Sequence, residues 1–321
     1  MAQLISIVAP MYNESANLDA FYERVSSVMQ STGYDYEIIC ITDGSTDDTL
    51  PKLIEIHHRD SRLKVINLSR NFGKEIALTA GMDRAAGDAV IPIDADLQDP
   101  PEVIPRLIQE WKAGFDVVYA TREIREGESW VKRLTAYLFY RLMKRSSPVP
   151  IPADTGDFRL MSRRAVNALI QLREQQRFMK GLFAWVGYKQ TSVLYRREPR
   201  QKGTTRFNYR KLWNLAVEGI TSFSFFPLRI ASLLGFVVAM FSFGWAAFLV
   251  LLKLIHGNPL PGYSSLMVAI LFLGGVQLIS LGIIGEYLGR TYHESKGRPL
   301  YFVQDLYGLP GGEDSPDISR P

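Results

Sequence analysis

From Ile230 to Leu252 the chain carries no ionisable side chain, and a second uncharged run extends from Tyr263 to Gly285. As a helix the first run would span roughly 34 Å, enough for a bilayer core of ~30 Å. The connection between them contains Gly257-Asn258-Pro259-Leu260-Pro261-Gly262, which cannot continue a helix. Two runs of this length in tandem at one end of the chain predict a transmembrane hairpin rather than a pair of buried core helices, with too few spans for a transporter. The 47% hydrophobic composition averages over a split, because from Met1 to about Phe226 charged and apolar residues alternate in short blocks.

Basic residues set the expected orientation. Arg196, Arg197, Arg200, Lys202, Arg206, Arg210, Lys211 and Arg229 precede the hairpin, Arg290, Lys296 and Arg298 follow it, and Lys253 alone lies near the middle turn. Both termini are therefore expected in the cytoplasm. Met1 to Gln3 offers no basic n-region and Leu4 to Val8 is too short for a signal-peptide core. Cys40 is the only cysteine, which excludes an intrachain disulfide and suits a reducing compartment. The four histidines are scattered without the spacing of a structural zinc site.

Ahead of the hairpin, Leu4 to Val8, Glu37 to Thr42, Leu63 to Leu68, Ala89 to Ile93 and Val117 to Ala120 are short apolar runs separated by helix-like stretches. Ser15 is placed to cap a helix whose Leu18, Phe21, Tyr22, Val25 and Met29 form one stripe. Further helices are expected over Gly73 to Ala86 and, with proline in the first turn, over Pro101 to Lys112. The alternation predicts an α/β fold with a mostly parallel sheet and ligands beyond the carboxyl ends of its strands.

Those ends are acidic. The first strand exits into Pro10-Met11-Tyr12-Asn13-Glu14, the second into Asp43-Gly44-Ser45-Thr46-Asp47, and the fourth into Asp94-Ala95-Asp96. Two carboxylates crowded where a buried strand meets a loop repel one another and ask for a cation. A magnesium or manganese ion bound by so few carboxylates completes its shell with water and substrate phosphate oxygens, which points to a bound diphosphate.

Trp130 to Arg145 reads as a basic amphipathic helix, suited to a solvated surface or, beside a bilayer, to anionic lipid. Tyr209 to Phe226 is expected at the membrane interface, and Gly311 to Pro321 as a disordered tail. The expected organisation is a cytoplasmic domain over 1–208, an interfacial segment over 209–228, membrane helices at about 229–253 and 263–286 within 229–290, and a cytoplasmic tail over 291–321.

Five ordered motifs carry a resemblance: Pro10 to Glu14, Asp43-Gly44-Ser45, Ser69-Arg70-Asn71-Phe72-Gly73-Lys74, Asp94-Ala95-Asp96-Leu97-Gln98 and Asp154-Thr155-Gly156-Asp157-Phe158-Arg159. The chain resembles the family 2 glycosyltransferases of the GT-A fold, in the polyprenyl-phosphate branch that includes dolichol-phosphate mannose synthase and the bactoprenol glucosyltransferases of the GtrB type. The resemblance covers nearly the whole chain. It implies inverting transfer of one sugar from a nucleotide diphosphate to a polyprenyl phosphate at the cytoplasmic membrane face. The first expectation for the donor is UDP-glucose. GDP-mannose or an aminoarabinose donor are the alternatives, and a non-catalytic nucleotide-sugar-binding subunit is the reading from another class.

The residue roles implied by the resemblance follow its motifs. Asp94 and Asp96 hold Mg2+ or Mn2+; Pro10, Tyr12, Glu14, Asp43, Arg70, Lys74, Asp94, Ala95 and Gln98 bind the nucleotide sugar; Arg122, Arg200 and Arg206 bind acceptor phosphate. Asp157, with Asp96, is the catalytic carboxylate. A phosphate monoester has a second pKa of ~6, so little proton removal is needed near neutral pH. Replacing Asp157 by Asn is therefore expected to harm turnover more at pH 6 than at pH 8. The glutamine-x-x-arginine-tryptophan motif of processive relatives survives only as a distant echo in Gln175-Gln176-Arg177-Phe178. The resemblance also implies a homotetramer, and Gly285 and Gly289 supply one G-x-x-x-G. No G-x-G-x-x-G follows the first strand, which disfavours a nicotinamide-binding reading.

Overall fold

The computed structural model describes residues 3–123, 155–196, 226–256 and 262–312. Arg200, Arg206, the basic stretch 130–145, the interfacial segment up to 225 and the tail beyond 312 lie outside the described residues. The chain runs β1 (Leu4–Met11), α1 (Leu18–Thr32), β2 (Asp35–Thr42), α2 (Thr49–Arg59), β3 (Leu63–Leu68), α3 (Lys74–Arg84) and β4 (Ala89–Pro92). A 3-10 turn (Pro101–Val103) then leads into α4 (Ile104–Lys112) and β5 (Val117–Arg122). Next come β6 (Thr155–Ser162), α5 (Arg163–Leu169), α6 (Met179–Trp185), β7 (Gln190–Tyr195), α7 (Phe226–His256), α8 (Tyr263–Ser295) and β8 (Val303–Tyr307).

Among the described residues these strands make one sheet in the order β7-β5-β6-β4-β1-β2-β3-β8. β1 pairs in parallel with β2 and β4, β2 with β3, and β5 with β7. β6 lies antiparallel between β4 and β5, and β8 antiparallel on β3. The central strands read as continuous apolar runs because both of their faces are covered. Phe21, Val25, Met29, Leu53 and Leu107 of α1, α2 and α4 fill one side. Leu78, Val166, Leu169, Leu182 and Phe183 of α3, α5 and α6 fill the other. At Gly81 a Cβ would fall 2.3 Å from Val8 Cγ1 and 2.5 Å from Ile41 Cδ1, so α3 can lie this close to the sheet only with glycine there. That seating brings the first residue of α3, Lys74, to the rim where β1, β2 and β4 end.

Two local expectations are corrected. Helix α1 starts at Leu18 with Asn17 in the N-cap position, and Ser15 does not cap it. The Ser15 N–H instead donates to Asp47 Oδ2 at 3.2 Å, tying the loop after β1 to the loop after β2. The C-terminal segment is also more than a tail, because Val303–Tyr307 pairs with β3 and Asn67 donates to Asp305 Oδ2 at 2.7 Å.

Helices α7 and α8 leave apolar side chains outward: Phe243 of α7 is 74% and Leu278 of α8 71% exposed. A surface of that kind suits a lipid environment rather than water. α8 continues past the uncharged run to Ser295, and its last turns reach the domain built on the sheet. Glu294 Oε1 accepts from the Gln175 N–H at 2.8 Å, and Arg290 donates to Gln176 Oε1.

Candidate active site

The exits of β1, β2 and β4 and the start of α3 enclose a cleft of about 290 Å³. Pro10, Tyr12, Glu14, Asp43, Lys74, Asp94, Ala95 and Asp96 line it together with Met11, Asn71, Gly73 and Ala77. Eight of the expected residues therefore line one cleft. Tyr12 stands at the mouth, 38% exposed. Two non-glycine residues at the rim adopt left-handed backbone, Asn13 at φ 55° and Leu97 at φ 56°. Asn13 is held there by the Thr46 N–H donating to its Oδ1 at 2.8 Å, while Leu97 is locked by burial. Such a conformation costs about 1–2 kcal/mol, which the surrounding core must offset.

On the side of β1 and β2, carboxylates are fixed by backbone. Asp43 accepts from the Phe72 N–H at 2.7 Å and the Gly73 N–H at 2.8 Å, and burial pushes its carboxyl above the ordinary range. Gly44 sits against Arg70 and Asn71, where a Cβ would meet backbone atoms at 2.6 Å. Glu14 Oε2 accepts from Asn17 at 2.7 Å. Gln98 enters through its backbone, its N–H donating to Asp96 Oδ1 at 3.1 Å. Arg70 is not part of the cleft wall; its guanidinium lies over the Phe72 ring at 4.0 Å.

Across the cleft, charge meets charge directly. The Lys74 ammonium is 2.7 Å from Asp94 Oδ1 and 2.6 Å from Asp157 Oδ2, so one cation joins the β4 exit to β6. Burial works against the Lys74 charge, but Asp157 and then Asp94 outweigh it and hold the ammonium well above its usual range. Burial likewise raises the Asp94 carboxyl. At Asp157 burial is overcome by Lys74, and the carboxyl falls below its ordinary value. Arg159 braces this turn by donating to the Gly156 carbonyl at 2.7 Å and to the Asp157 carbonyl at 3.2 Å. Arg122 lies at the end of β5 with its Nε 3.2 Å from the Tyr195 hydroxyl.

Residues 6–170 match the family model described as glycosyl transferase family 2, and residues 226–291 match the GtrB C-terminal hairpin. An uncharacterized glycosyltransferase of Synechocystis is 58% identical over 305 residues, 95% of this chain and 96% of its own. The bactoprenol glucosyl transferase of Shigella phage SfV is 49% identical over 301 residues, 94% of this chain and 98% of its own. The chain belongs to glycosyl transferase family 2. Its mostly parallel sheet is that of the GT-A fold, joined to the GtrB hairpin. Among solved structures, glucosyl-3-phosphoglycerate synthase from Mycobacterium tuberculosis in complex with Mn2+, UDP-glucose and phosphoglyceric acid aligns with a TM-score of 0.46. The two are 22% identical, and the alignment covers 68% of this chain and 78% of that one.

The donor set of this glycosyltransferase suits a hard divalent cation. Asp94 and Asp96 present carboxylate oxygens to the cleft, and among the described residues no group of three or more His, Cys, Asp or Glu side chains closes into a cage. Two carboxylates with open positions beyond them fit an ion that takes its other ligands from water and phosphate.

Two charged residues of the transferase escaped the sequence reading. Glu75, next to Lys74, is raised to about 8 by burial and then by Asp157, and its buried Oε2 has no hydrogen-bond partner among the described residues. Lys180, on α6, has its pKa lowered by burial, against the pull of Asp157. Neither belongs to a motif with fixed spacing, and only the fold brings α3, β6 and α6 together.

Proposed function

We propose that the chain transfers a single glucosyl unit from UDP-glucose to a polyprenyl phosphate, with inversion, at the cytoplasmic face of the plasma membrane. The carrying observation is the 49% identity to bactoprenol glucosyl transferases over 94% of the chain, hairpin included. The cleft is consistent with that chemistry. A phosphate oxygen of the lipid forms a bond to the anomeric carbon as the bond to the diphosphate oxygen breaks, so two anionic groups must converge on one carbon.

Asp94 and Asp96 would hold Mg2+ or Mn2+, which when bound neutralises the leaving diphosphate. Lys74 adds a fixed cation between Asp94 and Asp157. Tyr12 would stack on the base, Glu14 and Asp43 would accept from ribose or base, and Arg70 and Gln98 would steady the loops on either side. Arg122, with Arg200 and Arg206, would receive the acceptor phosphate by forked contacts. With a carboxyl below its ordinary range, Asp157 is a poor proton acceptor. Its charge orients Lys74 and the acceptor instead. In this reading residues 1–208 are the cytoplasmic catalytic domain and 209–228 lie at the interface. Both termini face the cytoplasm, and the exposed hairpin meets lipid and further copies of the chain in a homo-oligomer.

The test is transfer of labelled glucose from UDP-glucose to undecaprenyl phosphate by the purified full chain. Product should form, vanish on chelation and return with Mg2+ or Mn2+. Preferential use of GDP-mannose would overturn the donor assignment. Binding of UDP-glucose without any transfer would leave a non-catalytic subunit.

A further inference from the structure

Arg122 is the one acceptor-side arginine among the described residues, and its surroundings hold its guanidinium before any phosphate arrives. The Tyr195 hydroxyl donates to Asp99 Oδ1, which leaves an oxygen lone pair to accept from Arg122 Nε at 3.2 Å. Arg122 Nη2 lies 3.8 Å from the same Asp99 oxygen. Asp99 and Tyr195 are each only 3% exposed, and Phe158 meets the Tyr195 ring edge-on at 6.2 Å. Gly156 leaves the needed room, since a Cβ there would stand 3.3 Å from Arg122 Nη2 and 3.7 Å from Asp99 Oδ2. Three separated segments, the loop after β4, the start of β6 and the end of β7, thus enclose one side chain.

An arginine carries about 2 kcal/mol of rotamer entropy, and a fork fixed in advance loses less of it on binding. With Nε engaged by Tyr195 and Nη2 beside Asp99, the plane of the guanidinium is fixed in advance of a phosphate. Tyr195 keeps its proton through the neutral range, because burial and then Asp99 push it up to about 12.

We infer that Asp99 and Tyr195 are positioning residues that preorganise Arg122 to grip the phosphate of the acceptor lipid. The inference rests on the proposed transfer to polyprenyl phosphate. It also gives the loop from Asp94 to Asp99 two duties, with its first carboxylates on the donor diphosphate and its last on the arginine that receives the acceptor.

Steady-state kinetics of the full chain, with polyprenyl phosphate and UDP-glucose varied in turn, test it. Tyr195→Phe should raise the KM for polyprenyl phosphate roughly tenfold, the effect of losing a hydrogen bond to a charged group. The KM for UDP-glucose and kcat should hold. In an Arg122→Ala background the same change should have no further effect, because Tyr195 acts through Arg122. Asp99→Asn, which keeps an acceptor oxygen, should show a smaller rise in lipid KM and the same dependence on Arg122, and it carries the test if Tyr195→Phe does not fold. An unchanged lipid KM, or an effect that persists in full without Arg122, overturns the positioning role while leaving the transferase reading intact. A wild-type chain that cannot glucosylate polyprenyl phosphate overturns both.

Discussion

The two walls of the cleft are built by different physics. On the side formed by the exits of β1 and β2, carboxylates are tied to backbone N–H groups: Asp43 to Phe72 and Gly73, Asp47 to Ser15 and Thr49. On the side formed by α3, the β4 exit and the ends of β5 and β6, side-chain charges hold one another: Lys74 between Asp94 and Asp157, Arg122 beside Asp99. A carboxylate fixed by backbone defines the shape of a loop and reads a ligand that must fit that shape. Charges that neutralise one another set a local potential, and any change in one is felt by all. Substitutions on the first wall should therefore alter donor binding, and those on the second should alter turnover and pH behaviour.

The largest effect is expected at Asp157. Asp157→Asn should cut turnover roughly 10²-fold or more, the order seen when a preorganised electrostatic partner is removed. Lys74 keeps this carboxyl ionised at pH 6 as well as at pH 8, so the loss should be equal at both. This replaces the pH-dependent loss expected from the sequence. A distinctly greater loss at pH 6 in pH–rate profiles would restore a titrating base and break the contrast between the walls.

Asp43→Asn should act next, on binding. Asn offers one acceptor oxygen where Asp43 serves two N–H groups, so one of these is left unsatisfied at about 1–3 kcal/mol. The KM for UDP-glucose should rise roughly tenfold with the lipid KM unchanged. A fall in kcat alone would show that Asp43 acts with the charges on the opposite side.

The smallest effect is on stability, at Glu75. Its folded carboxyl titrates at about 8 against an ordinary 4.5. The folded chain keeps this proton while the unfolded chain releases it, so stability falls as pH rises from about 4.5 to about 8 and is flat beyond. Glu75→Gln should raise the melting temperature at pH 8 by a few degrees and leave it nearly unchanged at pH 4. Thermal unfolding of both chains at the two pH values measures it; no difference at pH 8 would mean that Glu75 is ionised at no cost to the fold.

The sequence exposes what is local. Buried parallel strands show as apolar runs, the hairpin as two uncharged stretches, and the acidic exits as residues directly after strands. Residues 35–42, 63–68 and 89–92 fall where those runs predict strands. Long-range partnerships leave no such trace. Tyr195 and Asp99 are separated by 96 positions, and no periodicity links them. β8 is equally silent, because a five-residue edge strand with Gln304 and Asp305 inside it resembles a loop. Ser15 looked like a cap by residue type alone, until the neighbouring loop claimed its N–H.

α8 emerges from its apolar run, touches the loop at Gln175 and Gln176 through Glu294 and Arg290, and hands the chain on to a strand of the catalytic sheet. A helix rises 1.5 Å per residue and resists bending, so the segment works as a ruler rather than a leash. In the proposed topology, the height of the cleft above the headgroups would be set by the number of residues between Gly285 and Ser295. A lipid phosphate would then meet a catalytic floor at a fixed altitude, and the depth from which it must be drawn becomes a property of helix length.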